Sequence, residues 1–170
     1  MSDDERLGVD HDRAVKSTCS DAASCKWSAS KLGYIQDPYI QYFVSTQQQI
    51  KMPIINRGYY SRSRAIDQVL DGFLCNNSRT QVIVLGAGHD TTYFRIRSCT
   101  DRVVPTNFIE IDFPDINRKK VQIYRRREVF WRMLGFESAK DFSACLSKGS
   151  KAYRRRRDFL MIATTRSIKL

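Results

Sequence analysis

The sequence has few of the features that mark membrane and secreted proteins. Its longest strongly apolar run, from Val82 to Gly88, is far shorter than the roughly 20 residues that a membrane span needs. Residues 1–13 are acidic, whereas a signal peptide starts with basic and then apolar residues. We therefore predict a soluble cytoplasmic protein without a membrane anchor.

Cysteine and histidine are also too sparse for a disulfide framework or a zinc site. The five cysteines are an odd number, none forms a Cys-x-x-Cys pair, and only two histidines could add to them. They are Cys19, Cys25, Cys75, Cys99 and Cys145. We expect free thiols in a reducing compartment, and no metal.

What the chain does have is enough apolar material for one folded domain. It contains 170 residues, of which 42% are hydrophobic, so disorder throughout is excluded. The formal net charge of +11 lies in the last third: up to residue 115, 13 Lys and Arg face 14 Asp and Glu, and the remainder has 16 against 4. We predict a flexible acidic arm at residues 1–18, a folded part at 19–117 and a poorly ordered basic tail at 118–170.

The folded part shows the order of elements that is typical of an α/β protein. Apolar residues recur with helical spacing over residues 63–75, and Asp37 and Pro38 favour the start of a short helix at about 39–44. Gln81–Leu85 is an apolar β-branched run that predicts a strand buried on both faces. A glycine-rich turn follows, then a crossover at 89–97 and a second strand at 108–112. This order predicts a doubly wound α/β sheet.

The turn after the first strand indicates a nucleoside-binding crevice. Gly86 and Gly88 allow the backbone to approach a ligand closely, and Asp112 follows Gly86 at the distance where such folds place a carboxylate for ribose hydroxyls. Thr91 stands where a third glycine would bind a pyrophosphate, which disfavours a nicotinamide cofactor and favours S-adenosylmethionine. Taken alone, Gly-x-Gly favours a plain turn, and Asp112 would then be a strand-end cap.

Five segments in order resemble the amino-terminal half of the leucine carboxyl methyltransferase family, over residues 18–114. They are DAASCKWSAS, LGYIQDPYIQYFV, PIINRGYYSR, LGAGHDTTYFR and IEIDFP. The resemblance implies a class I, Rossmann-like, S-adenosylmethionine-dependent methyltransferase fold with an amino-terminal helical extension, here truncated after its first two strands. It also implies methyl esterification of the C-terminal leucine of the protein phosphatase 2A catalytic subunit. Separately, we expect a monomer.

The resemblance assigns four residues to the cofactor. Lys26 and Arg62 would hold the methionine carboxylate of S-adenosylmethionine, which suits two cations because charge-assisted hydrogen bonds are strong. Gly86 would be the close backbone approach, and Asp112 would accept hydrogen bonds from the ribose.

No catalytic side chain is assigned. A sulfonium is already electrophilic and a carboxylate is already ionised at neutral pH, so the enzyme mainly has to align the reacting atoms. We therefore interpret His89 as an incidental loop residue, expect Asp90 to cap the helix after the turn, and expect Arg57 to hold its own segment.

Three alternatives stay open because the resemblance stops near residue 118. The chain could be a non-catalytic partner of the phosphatase, or a fragment that binds nucleic acid or an acidic partner through its basic carboxyl-terminal third. Little aromatic interleaving accompanies the arginine runs, so nucleic acid is the weaker choice. A third possibility is the related tRNA-wybutosine branch, although DPYIQYFV and GAGHDTTYFR fit the phosphatase branch better.

Overall fold

The computed structural model describes residues 3–147, 152–154 and 159–163, and in this part the chain is a mixed α/β protein. The helices are α1 (Asp3–Lys31), a 3₁₀ helix (Ile40–Phe43), α2 (Pro53–Cys75), α3 (Thr92–Ser98), α4 (Pro114–Arg126), α5 (Glu128–Met133) and α6 (Ala139–Ser147). The strands are β1 (Gln81–Leu85), β2 (Asn107–Asp112), β3 (Ala152–Arg154) and β4 (Phe159–Ala163). Among the described helices, none combines the length and apolar character required to cross a bilayer.

The four described strands form one sheet in the order β1-β2-β4-β3. β2 pairs in parallel with β1 on one side and with β4 on the other, and β3 runs antiparallel to β4. The crossover that joins β1 to β2 contains α3, as parallel pairing requires. The sheet therefore continues past the two strands that were expected, because β4 adds a third parallel strand.

β1 differs from its prediction in how deeply it is buried. The sequence predicts burial on both faces, yet Ile83 is 54% exposed and Leu85 is 46% exposed. The reason is position, since β1 is an outer strand and α2 packs mainly against α1 rather than onto β1. An apolar run shows that a strand suits burial, but only its neighbours determine whether burial occurs.

An aromatic cluster forms the centre of the core. Phe94 of α3 lies 4.8 Å from Phe130 of α5 and 5.2 Å from Tyr124 of α4, between ring centroids. All three side chains are at most 1% exposed, and such pairs contribute about 0.5–1.5 kcal/mol beyond area burial. α4 and α5 are therefore an integral part of the packed core.

The division of the chain also differs from the one expected. α4 continues through the expected boundary at 117/118, and it buries Tyr124 beyond that point. Of the predicted disordered tail, residues 148–151, 155–158 and 164–170 lie outside the described residues. At the other end α1 already begins at Asp3, within the predicted arm, where acidic residues favour a helix amino terminus.

α2 is ten residues longer than predicted because it begins at Pro53 instead of residue 63. Proline is well tolerated in the first turn of a helix. In the added turns the polarity is reversed, since Ile54 is 69% exposed and Asn56 is fully buried. Asn56 accepts a hydrogen bond from the Ser28 hydroxyl of α1 and donates one to the Lys51 carbonyl. Apolar periodicity cannot indicate a helix that docks through a buried amide.

Candidate functional site

The four residues assigned from the sequence line one cavity of about 1300 Å³. Lys26 comes from α1, Arg62 from α2, Gly86 from the turn after β1, and Asp112 from the end of β2. The cavity lies between α1, α2 and the carboxyl ends of β1 and β2, which is where open α/β sheets bind ligands. Its volume is sufficient for a nucleoside-sized molecule.

The glycine turn has two glycines that serve different purposes. Both have positive φ, +63° at Gly86 and +50° at Gly88, a region that favours glycine. A Cβ added to Gly86 would meet nothing within 4 Å, so this backbone borders open space. A Cβ on Gly88 would come within 3.1 Å of Cys19 Sγ on α1. Gly86 therefore leaves room for a ligand, whereas Gly88 leaves room for α1.

Asp112 is held in place by the backbone around it. Its Oδ2 accepts a hydrogen bond from the N–H of Gly88, and its Oδ1 accepts one from the N–H of Phe113 at 2.6 Å. Asp112 as a whole is only 8% exposed. A carboxylate offers about four lone-pair sites, so Asp112 retains acceptor capacity toward the cavity that it lines.

Lys26 is held by side chains that the sequence did not link to it. Its Nζ lies 2.9 Å from Asp37 Oδ2 and 3.9 Å from Asp90 Oδ1, and it donates a hydrogen bond of 2.8 Å to Thr91 Oγ1. Only 15% of the lysine side chain is exposed. The ammonium is therefore fixed on the cavity wall instead of moving freely in solvent.

Asp37 confirms its predicted role in helix initiation and has a second role. Its Oδ1 accepts hydrogen bonds from the N–H groups of Tyr39 and Ile40 at 3.1 and 3.2 Å, at the start of the 3₁₀ helix. Its Oδ2 bonds to Lys26 and Thr91. Sequence spacing gave no signal for this second role, because Asp37 and Thr91 are 54 positions apart.

Arg62 is exposed on α2 and lines the cavity. Burial raises the pKa of the neighbouring Tyr59 phenol, and the positive charge of Arg62 opposes that rise. Arg57, expected to hold its segment, is exposed on the same helix. Arg62 is therefore an accessible cation at this cavity.

Asp90 lies one residue before the N-cap of α3, which is Thr91 and not Asp90 as expected, and it bonds to the first residue of the helix. Its Oδ1 accepts hydrogen bonds of 2.7 Å from both the N–H and the hydroxyl of Thr92. Burial raises the pKa of Asp90, but Lys26, Lys120 and the Thr92 hydrogen bonds outweigh it and leave the pKa below its usual value. Asp90 thus stays ionised close to Lys26.

A network of ion pairs, which the sequence did not predict, joins α2 to α3 and to the loop after α3. Arg95 binds Asp67 through two hydrogen bonds of 2.8 and 3.0 Å, and Arg102 bridges Asp67 and Asp71 at 3.3 and 2.7 Å. Burial acts to raise the pKa of Asp67, but Arg95 and Arg102 outweigh it and lower the pKa. The network holds α2, one wall of the cavity, against the rest of the fold.

His89 occupies a position that suits packing better than proton transfer. Its ring lies 5.3 Å from that of Phe43, and within the described residues its buried Nδ1 has no hydrogen-bond partner. Burial, with smaller effects from Lys120 and Lys119, lowers its pKa from 6.5 to about 4. The imidazole is therefore neutral at pH 7, in agreement with its interpretation as a loop residue.

Comparison with known proteins identifies the family. The family model described as leucine carboxyl methyltransferase matches residues 14–129, which extends beyond the boundary expected at 117. Curated relatives named leucine carboxyl methyltransferase 1 include that of Bos taurus, 41% identical over 114 residues (65% of this chain and 33% of the relative). Another is that of Rattus norvegicus, 35% identical over 122 residues (71% and 36%). That of Schizosaccharomyces pombe is 37% identical over 139 residues (80% and 42%).

The chain thus spans about a third to two fifths of the length of these relatives. The match also includes all four cavity residues that the sequence had singled out. The chain belongs to the leucine carboxyl methyltransferase family.

Proposed function

We propose that this chain binds S-adenosylmethionine in the cavity between α1, α2 and the ends of β1 and β2. The observation that carries the proposal is that Lys26, Arg62, Gly86 and Asp112 line that one cavity, although they are spread over the sequence from position 26 to 112. Three parallel strands in the order β1-β2-β4 support a class I, Rossmann-like fold with its ligand at the carboxyl end of β1.

The residues present fit the chemistry of this cofactor. Gly86 borders open space, so a nucleoside can lie against its backbone. Asp112 would accept hydrogen bonds from the ribose hydroxyls, since its carboxylate has acceptor capacity beyond the two backbone bonds it receives. Lys26 and Arg62 would hold the amino-acid carboxylate from two helices. When bound, S-adenosylmethionine supplies an activated methyl group.

For the whole enzyme we propose methyl esterification of a protein's C-terminal leucine, that of the protein phosphatase 2A catalytic subunit. The name shared by the relatives, leucine carboxyl methyltransferase 1, supports the reaction. The task of these residues is to hold and align the reactants, and no general base is needed because the leucine carboxylate is ionised at neutral pH. The family match over residues 14–129 favours this function over binding of nucleic acid through the basic third.

Calorimetric titration with S-adenosylhomocysteine tests cofactor binding. Arg62→Ala removes an exposed cation from the cavity wall, and we expect it to weaken binding about tenfold or more, the worth of a hydrogen bond to a charged group. Arg57→Ala is the matched control, since it removes another exposed arginine of α2 and should bind as the unaltered chain does. The proposal is wrong if the unaltered chain does not bind, or if Arg62→Ala and Asp112→Ala both bind unchanged.

Methyl transfer is tested with a peptide that ends in leucine. The labelled methyl group of S-adenosylmethionine should be transferred to the carboxyl terminus of this peptide as a base-labile ester. The same peptide with an amidated carboxyl terminus lacks the nucleophile and should remain unlabelled. Equal labelling of both peptides would exclude carboxyl methylation.

A further inference from the structure

Asp37 does not itself line the cavity, but it pairs with Lys26, which does. Its side chain is fully buried, and Oδ1 is used by the two backbone N–H groups of the 3₁₀ helix. Its Oδ2 faces Lys26 Nζ at 2.9 Å and accepts a hydrogen bond from the Thr91 hydroxyl, and Arg95 Nε lies 3.9 Å away. A buried carboxylate is costly unless it is paired and hydrogen-bonded, and these contacts meet both conditions.

Thr91 completes the arrangement. Its hydroxyl donates its hydrogen to Asp37 and accepts a hydrogen bond from Lys26, so both groups determine its orientation. Thr91 is fully buried and occupies the position where a dinucleotide-binding turn would have its third glycine. The threonine at this position therefore links Lys26 to Asp37.

Lys26 is consequently held by two buried neighbours. It donates a hydrogen bond to Thr91 and forms an ion pair with Asp37, and its side chain remains 15% exposed at the cavity that it lines. A lysine side chain has about 2 kcal/mol of rotamer entropy, and most of this freedom is already lost here before any ligand arrives. A ligand that binds such a fixed side chain causes a smaller loss of conformational entropy on binding.

We infer that Asp37, together with Thr91, is a positioning residue that presents Lys26 to the carboxylate of the ligand. This inference rests on the proposed function, because it assigns the role of Asp37 to the same ligand. Attraction by charge alone predicts the opposite behaviour. Asp37 neutralises part of the positive charge near Lys26, so removing its charge would strengthen the attraction of an anion if orientation did not matter.

The test compares two probes by calorimetric titration of the full chain. S-Adenosylhomocysteine contains the amino-acid carboxylate, whereas 5′-methylthioadenosine has the same nucleoside without it. Asp37→Asn places amide hydrogens against the ammonium, and we expect about tenfold weaker binding of S-adenosylhomocysteine with binding of 5′-methylthioadenosine unchanged. Thr91→Val retains the charge and shape of the site without the hydroxyl, and we expect a smaller loss with the same selectivity.

A double-mutant cycle with Lys26→Met shows whether Asp37 acts through the lysine. If it does, Asp37→Asn with Lys26→Met binds S-adenosylhomocysteine no more weakly than Lys26→Met alone. Glu128→Gln is the matched control, since it also removes an ion-paired carboxylate, on α5, and should bind both probes as the unaltered chain does.

Three results overturn the inference: unchanged or tighter binding of S-adenosylhomocysteine by both Asp37→Asn and Thr91→Val, equal losses for the two probes, or additive losses in the cycle. Failure of the proposed function is recognised separately, because the unaltered chain would then bind neither probe.

Discussion

Replacing His89 with phenylalanine measures how much the buried imidazole contributes to the pH dependence of stability. The folded protein lowers the pKa of His89 from 6.5 to about 4, chiefly through burial. Between these values the unfolded chain binds a proton that the folded chain does not, so stability falls as the pH falls from 6.5 to about 4. With about 1.4 kcal/mol for each pH unit, the loss between pH 7 and pH 5 is about 2 kcal/mol. His89→Phe retains a ring against Phe43 and removes this loss.

Urea unfolding at pH 7 and pH 5, followed by tryptophan fluorescence, measures the effect. The free-energy difference between His89→Phe and the unaltered chain should shift by about 2 kcal/mol in favour of the variant on going to pH 5. Burial raises the pKa of Glu110 to about 7, which acts in the opposite direction between pH 4.5 and 7, but this group is present in both proteins and cancels in the comparison. His11→Phe, at the chain's other histidine, is the control. Parallel pH curves for the unaltered chain and His89→Phe would refute the reasoning.

Two further predictions concern the buried ion pair and the glycine turn. Lys120 and Glu110 are both fully buried and 2.7 Å apart, so Lys120→Met should lower the free energy of unfolding by about 3–5 kcal/mol at pH 8. The loss should be smaller at pH 5, where Glu110 is protonated, and adding Glu110→Leu should restore most of the stability. Urea unfolding at both pH values measures this, and an unchanged midpoint for Lys120→Met would contradict it. Gly86→Ala should lower the free energy of unfolding by about 1 kcal/mol from its positive φ alone. Gly88→Ala should lower it by about 2 kcal/mol, because its Cβ also meets Cys19 Sγ. Equal losses of stability in thermal unfolding would show that this contact is unimportant.

The first strand and the turn after it were predictable because their signals are local. A β-branched run followed by glycine gave β1 with the bounds that it has in the structure, and β2 within one residue. The start of α2 was missed because Asn56, a polar residue, provides its buried contact. The burial of β1 was overestimated because coverage depends on elements far away in the sequence.

At the candidate site, the resemblance to a family singled out four residues that line one cavity, which spacing alone could not do. Lys26 and Arg62 lie on different helices and share the cavity only after folding. The contacts among Lys26, Asp37 and Thr91 had no sequence signal, since each residue reads locally as a surface cation, a helix cap or a loop hydroxyl. Long-range contacts of this kind become visible only in three dimensions.

The outer position of β1 within the described sheet leads us to expect self-association at high protein concentration. Within the described sheet this strand pairs only with β2, so its other side offers backbone N–H and C=O groups next to the half-exposed Ile83 and Leu85. Proteins usually protect such an edge strand with lysine or proline, and the sequence of β1, QVIVL, contains neither. A second copy of the chain can add a strand at this edge, so the fraction of self-associated protein should increase with protein concentration.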